Sequence, residues 1–150
     1  MTFYWSRATG FRCPVCHGIY NAQTAKCPGE GMTNLKELME AYDWESVMKY
    51  ADGKFTFQDI ERVIYTVDGD NEGPDWMGIF ALKNGSFGVV HAGCDYTGWG
   101  CQESGGSDTY ETEAVAIERA LKQEKENYSA RAEVVEALTR LLCGIKEAPK

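Results

Sequence analysis

WMGIFALKNGSFGVVHA, residues 76–92, decides the fold class of this 150-residue chain. Two runs rich in apolar, β-branched and aromatic residues, 76–83 and 86–92, flank Asn84-Gly85, the strongest short hairpin signal in the sequence. The two runs therefore return on one another antiparallel. Upstream, DIERVIYTV (59–67) has the same β character, and the polar, turn-forming stretch DGDNEGPD (68–75) joins it to the hairpin. The expectation is a three-stranded antiparallel meander over 57–92.

On both sides of the meander the period becomes helical. Thr33 reads as an N-cap, followed by Leu35, Leu38, Met39 and Tyr42 at helical spacing. Asp43 reads as the cap of a second short helix carrying Trp44, Val47, Met48 and Ala51, which Gly53 ends, so helices occupy 33–52. Downstream, 93–109 is full of glycine and serine and reads as a long loop. ETEAVAIERALKQEKEN (111–127) is amphipathic, with Val115, Ile117 and Leu121 as inward candidates. Ser129 caps a last helix bearing Val134, Val135, Leu138, Leu141 and Leu142, stopped by Gly144, with Cys143 as a core residue; these helices span 111–143. The class is α+β: residues 32–150 form one domain in which the meander packs with the C-terminal helices, and residues 1–31 form a small appended segment.

That segment is rich in glycine, cysteine and aromatic residues and reads as short strands around a metal knuckle. A tight Cys-x-x-Cys turn supplies two thiolates from one loop, and zinc wants four ligands in a tetrahedron. CPVCHG (13–18) resembles a rubredoxin-type zinc knuckle, and CPGEG (27–31) is a half-match to its second turn. The resemblance implies zinc on Cys13, Cys16 and Cys27. Glu30 stands where the family's fourth cysteine would, so Glu30 or His17 is the fourth candidate. The role is structural, because so few apolar residues cannot otherwise hold a fold. A haem reading of CPVCH is weakened, since the start, MTFYWSRATG, lacks a secretory pattern. The six cysteines then belong to a reducing, cytoplasmic setting, and no apolar run is long enough for a membrane helix.

The segment HAGCDYTGWGCQ (91–102) admits three readings. Cys94 or Cys101 is a nucleophile with His91 as its base. Alternatively Cys94, Cys101 and His91 bind a second metal, although this cysteine spacing fits no common knuckle. In the third reading the loop is structural, with Trp99 and Tyr96 anchoring it to the sheet. Within 68–75, Asp68, Asp70, Glu72 and Gly73 match half an EF-hand. Ile79 occupies the position where calcium needs a bidentate carboxylate, so an acidic hairpin loop is the better account.

The net charge of −8 is unevenly spread. Residues 1–36 carry +3, residues 37–113 carry −12 and residues 114–150 carry +1. Between Arg62 and Arg119 the only basic residue is Lys83, against ten carboxylates. Such a region repels nucleic acid and attracts cations or a basic protein surface. Arg7, Arg12, Lys26 and Lys36 are too few to hold phosphates beside it.

The stretch from Trp76 through Gln102, with WMGIF, the Asn-Gly turn and AGCDYTGWGCQ, resembles a family of small uncharacterised proteins of bacteriophages and bacterial genomes. The commoner form of that family reads AGCDYTGWDCQ, with an acidic residue where this chain has Gly100. The resemblance implies a phage or mobile-element origin, and with it the host cytoplasm as location. Two function classes follow. The first is a small acidic interaction or inhibitor protein that binds a host macromolecule, such as defence machinery. Its surface would comprise Asp68, Asp70, Glu72, Asp75, Asp95, Tyr96 and Trp99. The alternative is a thiol-dependent enzyme using Cys94 or Cys101 with His91.

Overall fold

The computed structural model describes residues 34–127 and 129–145 in full, together with the backbone of 4–6, 10–12, 19–20, 146 and 147. Three short N-terminal strands, β1 (Tyr4–Ser6), β2 (Gly10–Arg12) and β3 (Ile19–Tyr20), pair antiparallel in chain order. The knuckle candidates Cys13, Cys16, His17, Cys27 and Glu30 lie outside the described residues.

The main sheet has four antiparallel strands in sequential order: β4 (Ile60–Val67), β5 (Trp76–Leu82), β6 (Phe87–Asp95) and β7 (Gly98–Tyr110). The hairpin at Asn84-Gly85 closes where the Leu82 N–H donates to the Ser86 carbonyl at 2.9 Å. Gly85 takes the left-handed conformation at φ +88°, as a three-residue hairpin loop requires. The Asn84 Oδ1 accepts the Ser86 N–H at 2.9 Å and stiffens the turn.

Two corrections to the expected meander follow. The sheet has a fourth strand where 93–109 was expected to be a loop. β7 pairs with β6 from Phe87↔Tyr110 down to Cys94↔Glu103, so backbone pairing carries it rather than an apolar pattern. Most of its residues are exposed, since as an edge strand it has no neighbour on its far side among the described residues. Nothing there selects the alternation by which strands are read. The ammonium of Lys54 donates to the Ser107 carbonyl on this strand.

The second correction concerns layers: helices cover both faces of the sheet, not one. β5 is the clue, because all seven of its residues are buried. A strand with helices on both sides needs apolar residues at every position rather than every second one. On one face α1 (Leu35–Glu40) and α2 (Tyr42–Met48) bring Leu38, Trp44, Val47 and Met48 against Ile60, Trp76, Phe80, Val90 and Ala92. On the other face α3 (Glu113–Glu126) and α4 (Ala132–Glu147) bring Ile117, Ala120, Leu121, Val134 and Leu138 against Tyr65, Met77, Ile79 and Val89. Each large side chain so buried contributes about 1.5–3 kcal/mol.

Helix ends also differ from expectation. The cap of α1 is Asn34, whose side chain accepts the Lys36 N–H, and α2 follows Ala41 without any side-chain cap. Asp43 lies inside the first turn of α2 and is used elsewhere. Val115 points outward, because Ala116, Ile117, Ala120, Leu121 and Glu124 form the buried stripe of α3. The last helix starts at Ala132, not behind Ser129, and runs through Gly144 to Glu147. Glycine lowers helix stability without forbidding it, and the φ of Gly144 is not positive. Cys143 is exposed there rather than in the core.

Candidate functional site

The segment 91–102 spans the end of β6, a tight turn and the start of β7. Asp95 pairs with Gly98, and its Oδ1 accepts the Thr97 N–H at 3.0 Å to hold the turn. The next pair is Cys94↔Glu103, so Trp99, Gly100, Cys101 and Gln102 bulge out of the ladder. Gly98 and Gly100 take positive φ, and the Gly100 N–H donates to the Glu103 carboxylate at 2.7 Å. The bulge swings Trp99 back over Trp76, with ring centroids 5.1 Å apart.

Two indoles fix carboxylates at this end of the sheet. The Trp99 Nε1 donates to the Asp43 Oδ1 at 2.9 Å, and the Trp44 Nε1 donates to the Asp68 Oδ1 at 2.8 Å. Asp68 opens the loop 68–75, which is built rather than slack. The Asp70 N–H donates to the Pro74 carbonyl at 3.0 Å, and the Glu72 N–H donates to the Cys94 carbonyl at 2.9 Å. Glu72 makes this contact from φ +58°, a left-handed conformation that costs a non-glycine residue about 1–2 kcal/mol. Asp70, Glu72 and Tyr96 are exposed, and so is Tyr42, beside Asp43 in the chain. Lys83 lies in the hairpin at the opposite end of the sheet.

Cys94 is held apart from the imidazole. Successive strand residues face opposite sides, so positions 91 and 94 diverge. Cys94 shares the face of Val90 and Ala92, toward α2, whereas His91 shares the face of Val89, toward α3. The Cys94 Sγ donates to the Asn71 Oδ1 at 3.3 Å. Burial pushes this thiol up, and the negative charges of Asp43, Asp95, Glu103 and Asp75 push it further. A thiol so placed stays protonated and is a poor nucleophile. Cys101 is exposed in the bulge. Among the described residues no three His, Cys, Asp or Glu side chains converge as a metal site.

On the α3 face, His91 Nδ1 lies 3.8 Å from the Asp75 Oδ2 and has no hydrogen-bond partner. Gly93 makes room for that carboxylate: a Cβ there would stand 2.2 Å from the Asp75 Oδ1. Asp75 also lines a groove of about 530 Å³ with Tyr110, Arg119, Lys122, Gln123, Glu126 and Asn127. The Tyr110 phenol there is raised by burial and by Asp108, and lowered in part by Arg119.

Sequence reasoning missed the residue that ties the acidic loop to the helices. The Arg131 guanidinium donates to the Asp68 carbonyl at 3.0 Å and to the Asp75 carbonyl at 2.8 Å, pinning both ends of 68–75. Its own position is set by Glu124, a carboxylate 1% exposed. The signal was available: Glu124 continues the Ile117, Ala120, Leu121 stripe, and a carboxylate in a core stripe demands a cation.

Neither a family model, nor a curated protein, nor a solved structure matches this chain. No helix among the described residues is long and apolar enough to cross a membrane.

Proposed function

We propose that the chain is an interaction protein whose acidic sheet end docks on a basic surface of a host macromolecule. The observation that carries this reading is the pair of indole-held carboxylates, Asp68 on Trp44 and Asp43 on Trp99, at the end where Asp70, Glu72 and Asp95 also lie. The buried Trp44 indole needs an acceptor, and in supplying it Asp68 is fixed in place at this surface. Rigid carboxylates lose little entropy on binding, and exposed tyrosines such as Tyr96 and Tyr42 are apt contacts at protein interfaces. The phage-type character of AGCDYTGWGCQ makes a bacterial protein, with defence machinery as one class, the partner to look for. The thiol-enzyme reading loses Cys94, which projects from the face opposite His91, and would have to rest on the exposed Cys101.

The test uses the full chain as bait in bacterial extract, beside an Asp70→Asn, Glu72→Gln, Tyr96→Ala variant. None of these three side chains is buried, so the variant keeps its fold. A protein retained by the wild type, lost with the variant and released by salt supports the reading, since exposed charge pairs are screened over about 8 Å at physiological salt. Identical retention by wild type and variant overturns it. We further propose that Cys13, Cys16 and Cys27, with His17 or Glu30, hold a structural zinc ion.

A further inference from the structure

The groove on the α3 face borders the acidic sheet end, from which it takes Asp75 but neither Asp70 nor Glu72, and its charges are sorted along its length. Arg119, Lys122, Gln123 and Glu126 follow one another at three- and four-residue spacing, so they form one stripe along the flank of α3. The buried stripe beside it, Ile117, Ala120 and Leu121, presses the helix onto the sheet. Across from the flank, Gly93 leaves the space that the Asp75 carboxylate occupies, and Asp75 lines the groove. The groove is open to solvent and has a volume of about 530 Å³, within the range of small-ligand sites.

One end of this groove is cationic. Arg119 lines it together with Tyr110, and makes no ion pair among the described residues. The other end is anionic. Asp75 is held there by the Arg131 contact to its carbonyl, beside Asn127 and Glu126 at the close of α3. Lys122 sits between and reaches the Glu126 Oε1 at 4.0 Å, an exposed and therefore weak pair. The helix rises about 1.5 Å per residue, which puts Arg119 and Glu126, at its two poles, about 10 Å apart. An extended chain of about three residues has the same span.

We propose that this groove binds a short zwitterionic peptide, with the terminal carboxylate on Arg119 and Tyr110 and the terminal ammonium on Asp75. A ligand with one charge would meet only one pole, so each terminus adds to binding.

The probe is trialanine, titrated into ¹⁵N-labelled full-length protein, beside N-acetyl-trialanine, trialanine amide and the doubly capped peptide. The free tripeptide should shift the amides of Arg119, Lys122, Gln123 and Glu126, and capping either end should weaken binding about two- to fivefold, the size of one exposed charge pair. Arg119→Gln should abolish the difference between acid and amide, while Asp75→Asn should abolish the difference between free and acetylated amine. Asp70→Asn with Glu72→Gln should leave all four titrations unchanged, which separates this site from the docking end. Equal shifts from free and doubly capped peptides, or none from either, would overturn the proposal.

Discussion

The Arg131 guanidinium meets the Glu124 carboxylate at 2.9 Å between two helices, with the carboxylate 1% and the guanidinium 10% exposed. The Arg131 N–H also donates to the same carboxylate oxygen at 2.8 Å, so the pair sets the start of α4 as well. Removing the cation strands a charge in the interior. Arg131→Ala should therefore cost about 3–5 kcal/mol in chemical denaturation. Arg131→Met with Glu124→Leu should cost less than the single change, because no unpaired charge remains. Equal losses would show that the loop contacts, not the ion pair, dominate.

The indole bonds should be separable from the indole bulk. Trp44→Phe keeps most of the apolar ring but leaves Asp68 without its donor, and should cost about 1.5–3 kcal/mol, as for a hydrogen bond to a charged group. Trp99→Phe should cost less, since Trp99 is only half-buried. Thermal melts of the two variants rank them directly.

Cys94 gives a pH signature. Its thiol titrates above the ordinary value of 9.0 in the fold because of burial and then of Asp43. Above pH 9.0 the unfolded chain gives up this proton while the folded one keeps it, so the unfolded state binds fewer protons and stability falls as pH rises. Below that value the contribution is constant. Tyr50 and Tyr110, both raised above 10.0 chiefly by burial, add the same trend at higher pH. Urea denaturation at pH 8, 9 and 10 should show this decline, and Cys94→Ala should flatten its first part. In alkylation at pH 8, Cys101 and Cys143, both exposed, should react while Cys94 does not.

Freshly purified protein should contain close to one zinc per chain, and Cys13→Ser with Cys16→Ser should remove it. Elemental analysis decides; protein free of metal ends the zinc proposal.

How far the sequence could be read depended on what each residue does. The hairpin at 84–85 was legible because a turn residue and two apolar runs agree. β7 was not, because an edge strand made of GWGCQESGGSDTY is chosen by its backbone and by the space its glycines leave. A Cβ at Gly105 would collide with the Tyr50 ring at 2.8 Å. The two-sided cover was written in the unbroken apolar run of β5, where every residue is buried, yet such a run alone does not say which helices supply the cover. The candidate site was half visible. Acidity marked 68–75, but the bonds that stiffen it come from Trp44 and Arg131, 24 and 63 residues away from Asp68, beyond any local pattern.

Lys54 reaches the Ser107 carbonyl on the outer strand, and the consequence concerns self-association. A thirteen-residue strand with one neighbour among the described residues is an edge on which another copy could pair, and neither proline nor lysine interrupts its own sequence. Part of the protection lies in the strand, in the bulge at 99–102 and the charges of Glu103 and Asp108, and part outside it: a chain pairing at Ser107 must first displace the Lys54 ammonium. A cation on the loop before β4 thus helps to blunt a long, polar edge.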